Sequence, residues 1–187
     1  QKLRTAQRVA ARDPFFAGNV DALIAAQPKD LEASEIEVRL GATWFDKKYI
    51  EQFMYETFET PRYLRGQIEI SYVPYTAEWQ VSRKSMVRYN DVAAFTTYGT
   101  DRASAYRLLE DALNLRDIRI YDTIEDADGR ERRVLNAKET TLAAQKQQLI
   151  RDAFKDWIWK DPERRQTLVR QYNEEMNSTR PREYDGS

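Results

Sequence analysis

The chain of 187 residues contains no histidine and no cysteine. Histidine is the commonest general base and transition-metal ligand in proteins, so its absence excludes a Ser-His-Asp triad and a histidine-bound metal. The absence of cysteine excludes disulfides and thiolate metal sites. Carboxylates remain, and a Mg²⁺ site built only from oxygen ligands therefore stays open.

Glycine and long hydrophobic runs are also scarce. The six glycines show no spacing that would form a phosphate-binding loop. No apolar run approaches the roughly 20 residues that a membrane-spanning helix needs, and the polar start does not resemble a signal peptide. With 30 basic and 31 acidic residues the net charge is −1, whereas a free-standing nucleic-acid binder is usually distinctly basic. Any contact with DNA must therefore come from a local patch.

Hydrophobic residues make up 41% of the chain and aromatic residues 12%, which is enough to form a core. The periodicity predicts an α+β fold, with a small antiparallel sheet of two hairpins packed by helices and a long C-terminal helical pair. Alternating apolar residues predict a strand over 36–40 and hairpins over 67–82 and 117–135. Residues 84–99 fit neither pattern.

Helical spacing and capping residues predict the remaining elements. Helices are predicted over about 1–12, 20–27, 47–59, 101–114, 137–159 and 162–176, with Asp46 and Asp161 as N-caps. The long helix over 137–159 has an apolar stripe whose predicted members are Leu142, Leu149, Ile150, Ala153, Phe154, Trp157 and Ile158. We therefore expect the Phe154 and Trp157 side chains to be buried.

The C-terminal third carries the most distinctive sequence, namely the runs Trp157–Arg165, Tyr172–Glu174 and Asn177–Ser187. Further characteristic pieces are Gln27-Pro28, Glu35–Trp44, Tyr49–Phe53, Tyr75–Trp79, Tyr98–Thr100, Ala112–Leu115, Thr140–Leu142, Gln145-Lys146 and Phe154–Trp157. In combination they resemble the segment just ahead of the helicase domain in very large helicase–methyltransferase proteins of phages, plasmids and integrative elements. The resemblance covers most of the chain from about Asn19 onward.

This resemblance implies a non-catalytic accessory or connector domain that positions DNA or braces the helicase core. Its partners would be neighbouring helicase and DNA adenine methyltransferase modules of the same polypeptide, in the cytoplasm, encoded by a bacterium or a phage. The resemblance carries over no catalytic residue, no metal ligand and no cofactor. Residues 1–18 are then expected to form a helical extension from an upstream module, residues 19–176 a single accessory domain, and residues 177–187 an extended linker toward a helicase domain.

The best small cluster of basic and aromatic residues is Arg83, Lys84, Arg88 and Tyr89. Basic side chains can neutralise phosphates while an aromatic ring stacks on an unpaired base. These four residues are therefore the candidate nucleic-acid contacts, although an ordinary solvated edge of the hairpin is the simpler explanation, because nearby Glu78 and Asp91 dilute the charge. Two other functions also stay open: a purely structural module that contacts no DNA, and a nuclease that uses carboxylates and Mg²⁺.

Other sequence features have simpler explanations. The acidic residues Glu125, Asp126 and Asp128 lack the spacing of a calcium-binding loop, because the twelfth residue counted from Asp126 is Ala137 rather than glutamate. Trp44 can anchor a helix entry in the core or stack on DNA, and the structural role is the expected one.

Overall fold

The computed structural model describes residues 28–177, which fall into two compact units. In the first unit the described residues are 28–36 and 167–177, and the second unit comprises residues 37–166. The sequence had predicted one domain over residues 19–176. The predicted helices over 1–12 and 20–27, the predicted extension over 1–18 and residues 178–187 of the predicted linker lie outside the described residues.

Four α-helices follow the predicted pattern: α1 (Lys47–Thr57), α2 (Ala105–Leu113), α3 (Ala137–Lys160) and α4 (Pro162–Glu175). Each begins after a polar side chain that accepts a hydrogen bond from a backbone N–H of the first turn, and these residues are Asp46, Ser104, Asn136 and Asp161. Such caps satisfy donors that the helix itself leaves unpaired. The predicted caps Asp46 and Asp161 are confirmed.

Two antiparallel hairpins complete the fold. Strand β1 (Ile70–Val73) pairs with β2 (Glu78–Val81), and β3 (Tyr121–Glu125) pairs with β4 (Glu131–Leu135). The hairpins form two separate two-stranded sheets. The α+β class, the two hairpins and the C-terminal helical pair are therefore confirmed. The predicted strand over 36–40 is wrong: Val38 and Leu40 are buried, but these residues pair with no strand of the described chain.

Side chains from α1 and α2 close the outer edges of the first hairpin. On β1, the N–H of Ile70 donates to the Glu51 carboxylate at 2.9 Å, and the Lys47 ammonium donates to the Ile70 carbonyl at 2.8 Å. On β2, the N–H of Val81 donates to Glu110 at 2.8 Å. Such contacts remove the exposed edge that would otherwise pair with another strand.

The core of the larger unit is a cluster of aromatic rings centred on Phe53. Its ring lies 5.2 Å from Phe154 and 5.7 Å from Trp157, both in edge-to-face geometry. Phe58 extends the cluster to Tyr106, with a centroid distance of 5.3 Å. Tyr106 is fully buried, its hydroxyl lies 2.6 Å from that of Thr60, and burial raises the pKa of Tyr106 to about 12.

The buried stripe of α3 differs from the predicted one. Its buried members are Ala143, Gln147, Ile150, Phe154 and Ile158. The predicted burial of Phe154 is confirmed. Leu142 and Leu149 are exposed, and Ala153 and Trp157 are only half-buried, so those four predictions are wrong. Gln147 takes a core position because its amide bonds to the backbone of Arg116 at 2.9 Å and of Ile118 at 3.2 Å.

In the smaller unit, two asparagines of the C-terminal segment hold residues 29–31. The Asn173 amide exchanges two hydrogen bonds with the backbone of Leu31, at 2.8 and 2.9 Å. Asn177 is buried and donates to the Lys29 carbonyl at 2.9 Å. The first residue of the predicted linker over 177–187 therefore belongs to this unit. Across residues 28–177, no helix combines the length and the apolar character that crossing a membrane would require.

Candidate nucleic-acid interface

The four candidate residues lie on the segment that follows β2. Arg83 has a left-handed backbone with φ of 50°, which turns the chain out of the strand. A single turn of 3₁₀-helix follows at Lys84–Met86, and Ala93–Thr97 then forms a π-helix. These two short elements account for the segment whose sequence fitted neither a helix nor a strand. We call residues 83–95 the basic loop.

Lys84 is committed to the fold. Its ammonium lies 2.6 Å from the Glu110 carboxylate, which also accepts the N–H of Val81, and it donates to the Val81 carbonyl at 3.1 Å. Glu110 compensates the Lys84 charge, and the pair fastens the start of the loop to α2. Of the four predicted contacts, Lys84 is therefore the one whose charge is already paired inside the protein.

Arg83 is exposed, and its guanidinium donates a long hydrogen bond of 3.4 Å to the Gln67 amide oxygen. Arg88 is also exposed, and residues 28–177 offer its side chain no hydrogen bond or ion pair. An exposed guanidinium keeps its charge and up to five donors available for phosphate oxygens. Arg83 and Arg88 thus retain the chemistry that the sequence predicted for them.

Tyr89 is the aromatic part of the site. Its side chain is 82% exposed, and its ring stacks on that of Phe95 with centroids 5.1 Å apart and planes inclined by 28°. Phe95 belongs to the π-helix, in which the Tyr98 N–H donates to the Ala93 carbonyl at 2.9 Å. One face of the tyrosine is therefore supported by the protein while the ring remains largely open to solvent.

The loop is held at its far end by Asp91. The Asp91 carboxylate accepts the N–H of Ala94 at 2.9 Å, and its carbonyl accepts the N–H of Phe95 at 3.0 Å. Between Glu78 and Asp91, residues 79–90 contain three basic residues and no acidic one. In a chain of nearly balanced charge, this segment is locally positive.

The sequence did not single out Phe95. Apolar spacing predicts α-helices and strands, whereas a π-helix changes the period within a single turn and leaves no comparable signal. The run Ala93-Ala94-Phe95 indicates only that the segment is partly apolar. The stacking partner of Tyr89 therefore becomes apparent only in the structure.

The other features that the sequence raised have structural roles. The Arg164 guanidinium lies 3.5 Å from the centre of the Trp157 ring and donates to the Trp157 and Ile158 carbonyls, so it closes the last turn of α3. Trp44 packs edge-to-face on Phe45 at 5.0 Å. Within the described part of the chain, no three acidic side chains are placed together so that they could hold a metal ion.

The fold and the loop define an α+β domain that carries a locally basic, aromatic surface. Residues 39–178 match a protein-family model described as "Domain of unknown function (DUF8437)", and the chain belongs to this family. No match was found among curated proteins or among solved structures.

Proposed function

We propose that this protein is a non-catalytic accessory domain of a mobile-element DNA helicase–methyltransferase, in which it positions DNA or braces the helicase core. Its partners are then the helicase and methyltransferase modules of the same polypeptide, in the cytoplasm of a bacterium, and the gene is bacterial or phage-encoded. The sequence resemblance supports this parent protein. The basic loop supports the contact with DNA.

The observation that carries the DNA contact is the arrangement of Arg88 and Tyr89. The arginine has no partner among residues 28–177, and the neighbouring tyrosine is open on one face and supported by Phe95 on the other. A phosphate bound by Arg88 brings the adjoining base within reach of the Tyr89 ring. Base–aromatic stacking tolerates any sequence, because every base has a π-face.

A second function is favoured by the pairing of Lys84 with Glu110. This ion pair uses one of the three loop cations to join the first hairpin to α2, as in a purely structural module that contacts only neighbouring domains. The two functions differ in what Arg83 and Arg88 do. In the structural module their charges are simply solvated.

Salt-dependent binding separates the two functions. We expect the 187-residue chain to bind a fluorescent single-stranded oligonucleotide with Kd of about 10⁻⁴–10⁻⁶ M at physiological salt, as measured by anisotropy. The double substitution Arg83→Ala/Arg88→Ala should weaken binding and lower the salt slope by about 1.4, because each lost phosphate contact removes about 0.7. Lys84 is kept, since its replacement would disturb the fold.

Arg119→Ala is the matched control. Arg119 is exposed, has no hydrogen bond or ion pair within residues 28–177, and lies outside the basic loop. Its replacement removes one unit of charge and should leave the salt slope nearly unchanged. No binding by the unmodified chain at low salt, or equal effects of the loop and control substitutions, would favour the structural module.

A further inference from the structure

A second exposed segment lies beside the basic loop at the open end of the first hairpin. Residues 60–68 contain two arginines and no acidic residue, and residues 62–64 form a turn of 3₁₀-helix. Tyr63 in this turn is 62% exposed. Arg62 is exposed as well, and its side chain has no hydrogen bond or ion pair within residues 28–177. This segment repeats the combination of free arginine and open tyrosine found at Arg88 and Tyr89.

Two side chains join this segment to the basic loop. The Gln67 amide donates to the Tyr63 carbonyl at 2.8 Å and accepts from the Arg83 guanidinium at 3.4 Å. The Ser82 hydroxyl donates to the Gln67 carbonyl at 3.0 Å and accepts the N–H of Glu69 at 2.9 Å. The Arg83 guanidinium thus contacts the segment that bears Tyr63.

Basic residues outnumber acidic ones on this surface. Arg62, Arg83 and Arg88 are exposed, and the Lys84 charge is compensated by Glu110. Glu59 and Glu69 flank residues 60–68, and Asp91 lies within the basic loop. A polyanion is the ligand that exposed arginines attract, and an exposed tyrosine next to an exposed arginine in each segment favours a polyanion that also presents flat aromatic groups.

We infer that the open end of the first hairpin is a two-part binding surface for single-stranded DNA, in which Arg62 and Tyr63 extend the surface formed by Arg83, Arg88 and Tyr89. This inference rests on the proposed contact with DNA and specifies its ligand. Unpaired bases stack on Tyr63 and on Tyr89, while Arg83 contacts the phosphates between them. Duplex DNA keeps its bases stacked on each other and can offer only its phosphates.

The test uses a labelled poly-dT oligonucleotide of about 16 nucleotides, the upper range of such binding sites. We expect Tyr63→Ala to weaken its binding by about 5- to 150-fold, the equivalent of one lost base–aromatic stack of about 1–3 kcal/mol. Tyr63→Phe keeps the ring and should bind nearly as the unmodified chain does. Thermal unfolding of each variant should be unchanged, because the Tyr63 side chain is mostly solvent-exposed.

Tyr75→Ala is the matched control. Tyr75 is 98% exposed but lies at the tip of the same hairpin, about 13 Å or more from its open end at a rise of about 3.3 Å per residue. Its removal should not alter binding. Polyphosphate, which has charge but no bases, should compete much less effectively than unlabelled poly-dT at equal phosphate concentration.

The outcomes separate this inference from the proposed function. Absence of poly-dT and duplex binding at low salt would overturn both this inference and the proposed contact with DNA. Two results would leave the DNA contact standing and show that the two-part single-strand surface is wrong. The first is a loss of affinity in the Arg83→Ala/Arg88→Ala chain with no loss in Tyr63→Ala. The second is competition by polyphosphate or duplex DNA that is as effective as competition by poly-dT. Weakening by Tyr63→Ala, with recovery in Tyr63→Phe and no effect of Tyr75→Ala, would support it.

Discussion

At the scale of single residues, Gly41 and Gly66 form a natural pair for measuring how tightly the fold is packed. Both have positive φ, of 92° and 82°, so alanine is strained at either position. They differ in surroundings. A Cβ on Gly41 would lie 2.4 Å from the Leu113 carbonyl oxygen, whereas a Cβ on Gly66 would meet nothing within 4 Å.

We therefore expect Gly66→Ala to lower the free energy of unfolding by about 1–2 kcal/mol, the cost of the left-handed backbone alone. Gly41→Ala should cost at least about 1–3 kcal/mol more, because the backbone of α2 must move to make room. Urea denaturation of both variants measures this difference. Equal losses would mean that the close approach between Gly41 and α2 does not exist in solution.

Lys84 shows what sequence could and could not predict about the site. The sequence placed four candidate residues on one segment, and the structure does keep Arg83, Arg88 and Tyr89 exposed there. It could not reveal that Lys84 pairs with Glu110, because the partner lies 26 residues away on another element. The charge and exposure of a segment follow from its local composition, whereas the ion-pair partner of a side chain depends on the tertiary fold.

At the scale of elements, the corner between α3 and α4 depends on Arg164. Its guanidinium stacks on the Trp157 ring and donates to two carbonyls in the last turn of α3, and the Asp161 carboxylate that caps α4 accepts its backbone N–H at 2.8 Å. Trp157 in turn donates to Glu56 on α1 at 2.7 Å. One side chain thus closes one helix and lies in the first turn of the next.

We expect Arg164→Ala to lower the free energy of unfolding by about 2 kcal/mol, since it removes a cation–π contact and charge-assisted hydrogen bonds to carbonyls. Arg164→Lys should recover only part of this loss, because lysine lacks the planar fork. Arg170→Ala is the control. Arg170 is an exposed residue of α4, and its side chain has no hydrogen bond or ion pair within residues 28–177. An Arg164→Ala loss as small as the control loss would contradict this role.

Helices and hairpins were predictable where local signals agree. Asp46 and Asp161 mark helix starts, and Asp128-Gly129 marks the second hairpin, because caps and turns are determined by neighbouring residues. The buried face of α3 was misplaced for a different reason. Leucine content favoured Leu142 and Leu149, but the buried stripe runs through Ala143 and Gln147, whose burial depends on backbone partners elsewhere in the fold.

The two hairpins also differ in burial, which the alternation of apolar and polar residues in the sequence does not reveal. The first is buried on one face, and helix side chains close its edges. In the second, all of β4 is exposed, including Val134 and Leu135. Both carry turn and strand signals, so the sequence could not show which of them is buried on one face. The candidate surface lies at the open end of the first hairpin.

At the scale of the whole molecule, the net charge of −1 conceals an uneven distribution. Residues 60–68 and 79–90 contain five basic residues and no acidic one, and the base of the first hairpin brings these two segments together. Average composition argued against a nucleic-acid binder, while the fold joins two segments that each carry an exposed arginine beside an exposed tyrosine. That local surface is the central claim of this account.

Amide chemical shifts of the isotopically labelled chain, recorded while poly-dT is added at low salt, test this claim most directly because they locate the contact. The account predicts that shift changes concentrate at residues 62–67 and 83–95, and that they diminish as salt is added. Residues 74–77 at the hairpin tip should stay unchanged. No shift changes, or changes confined to the tip or to the second hairpin, would contradict it.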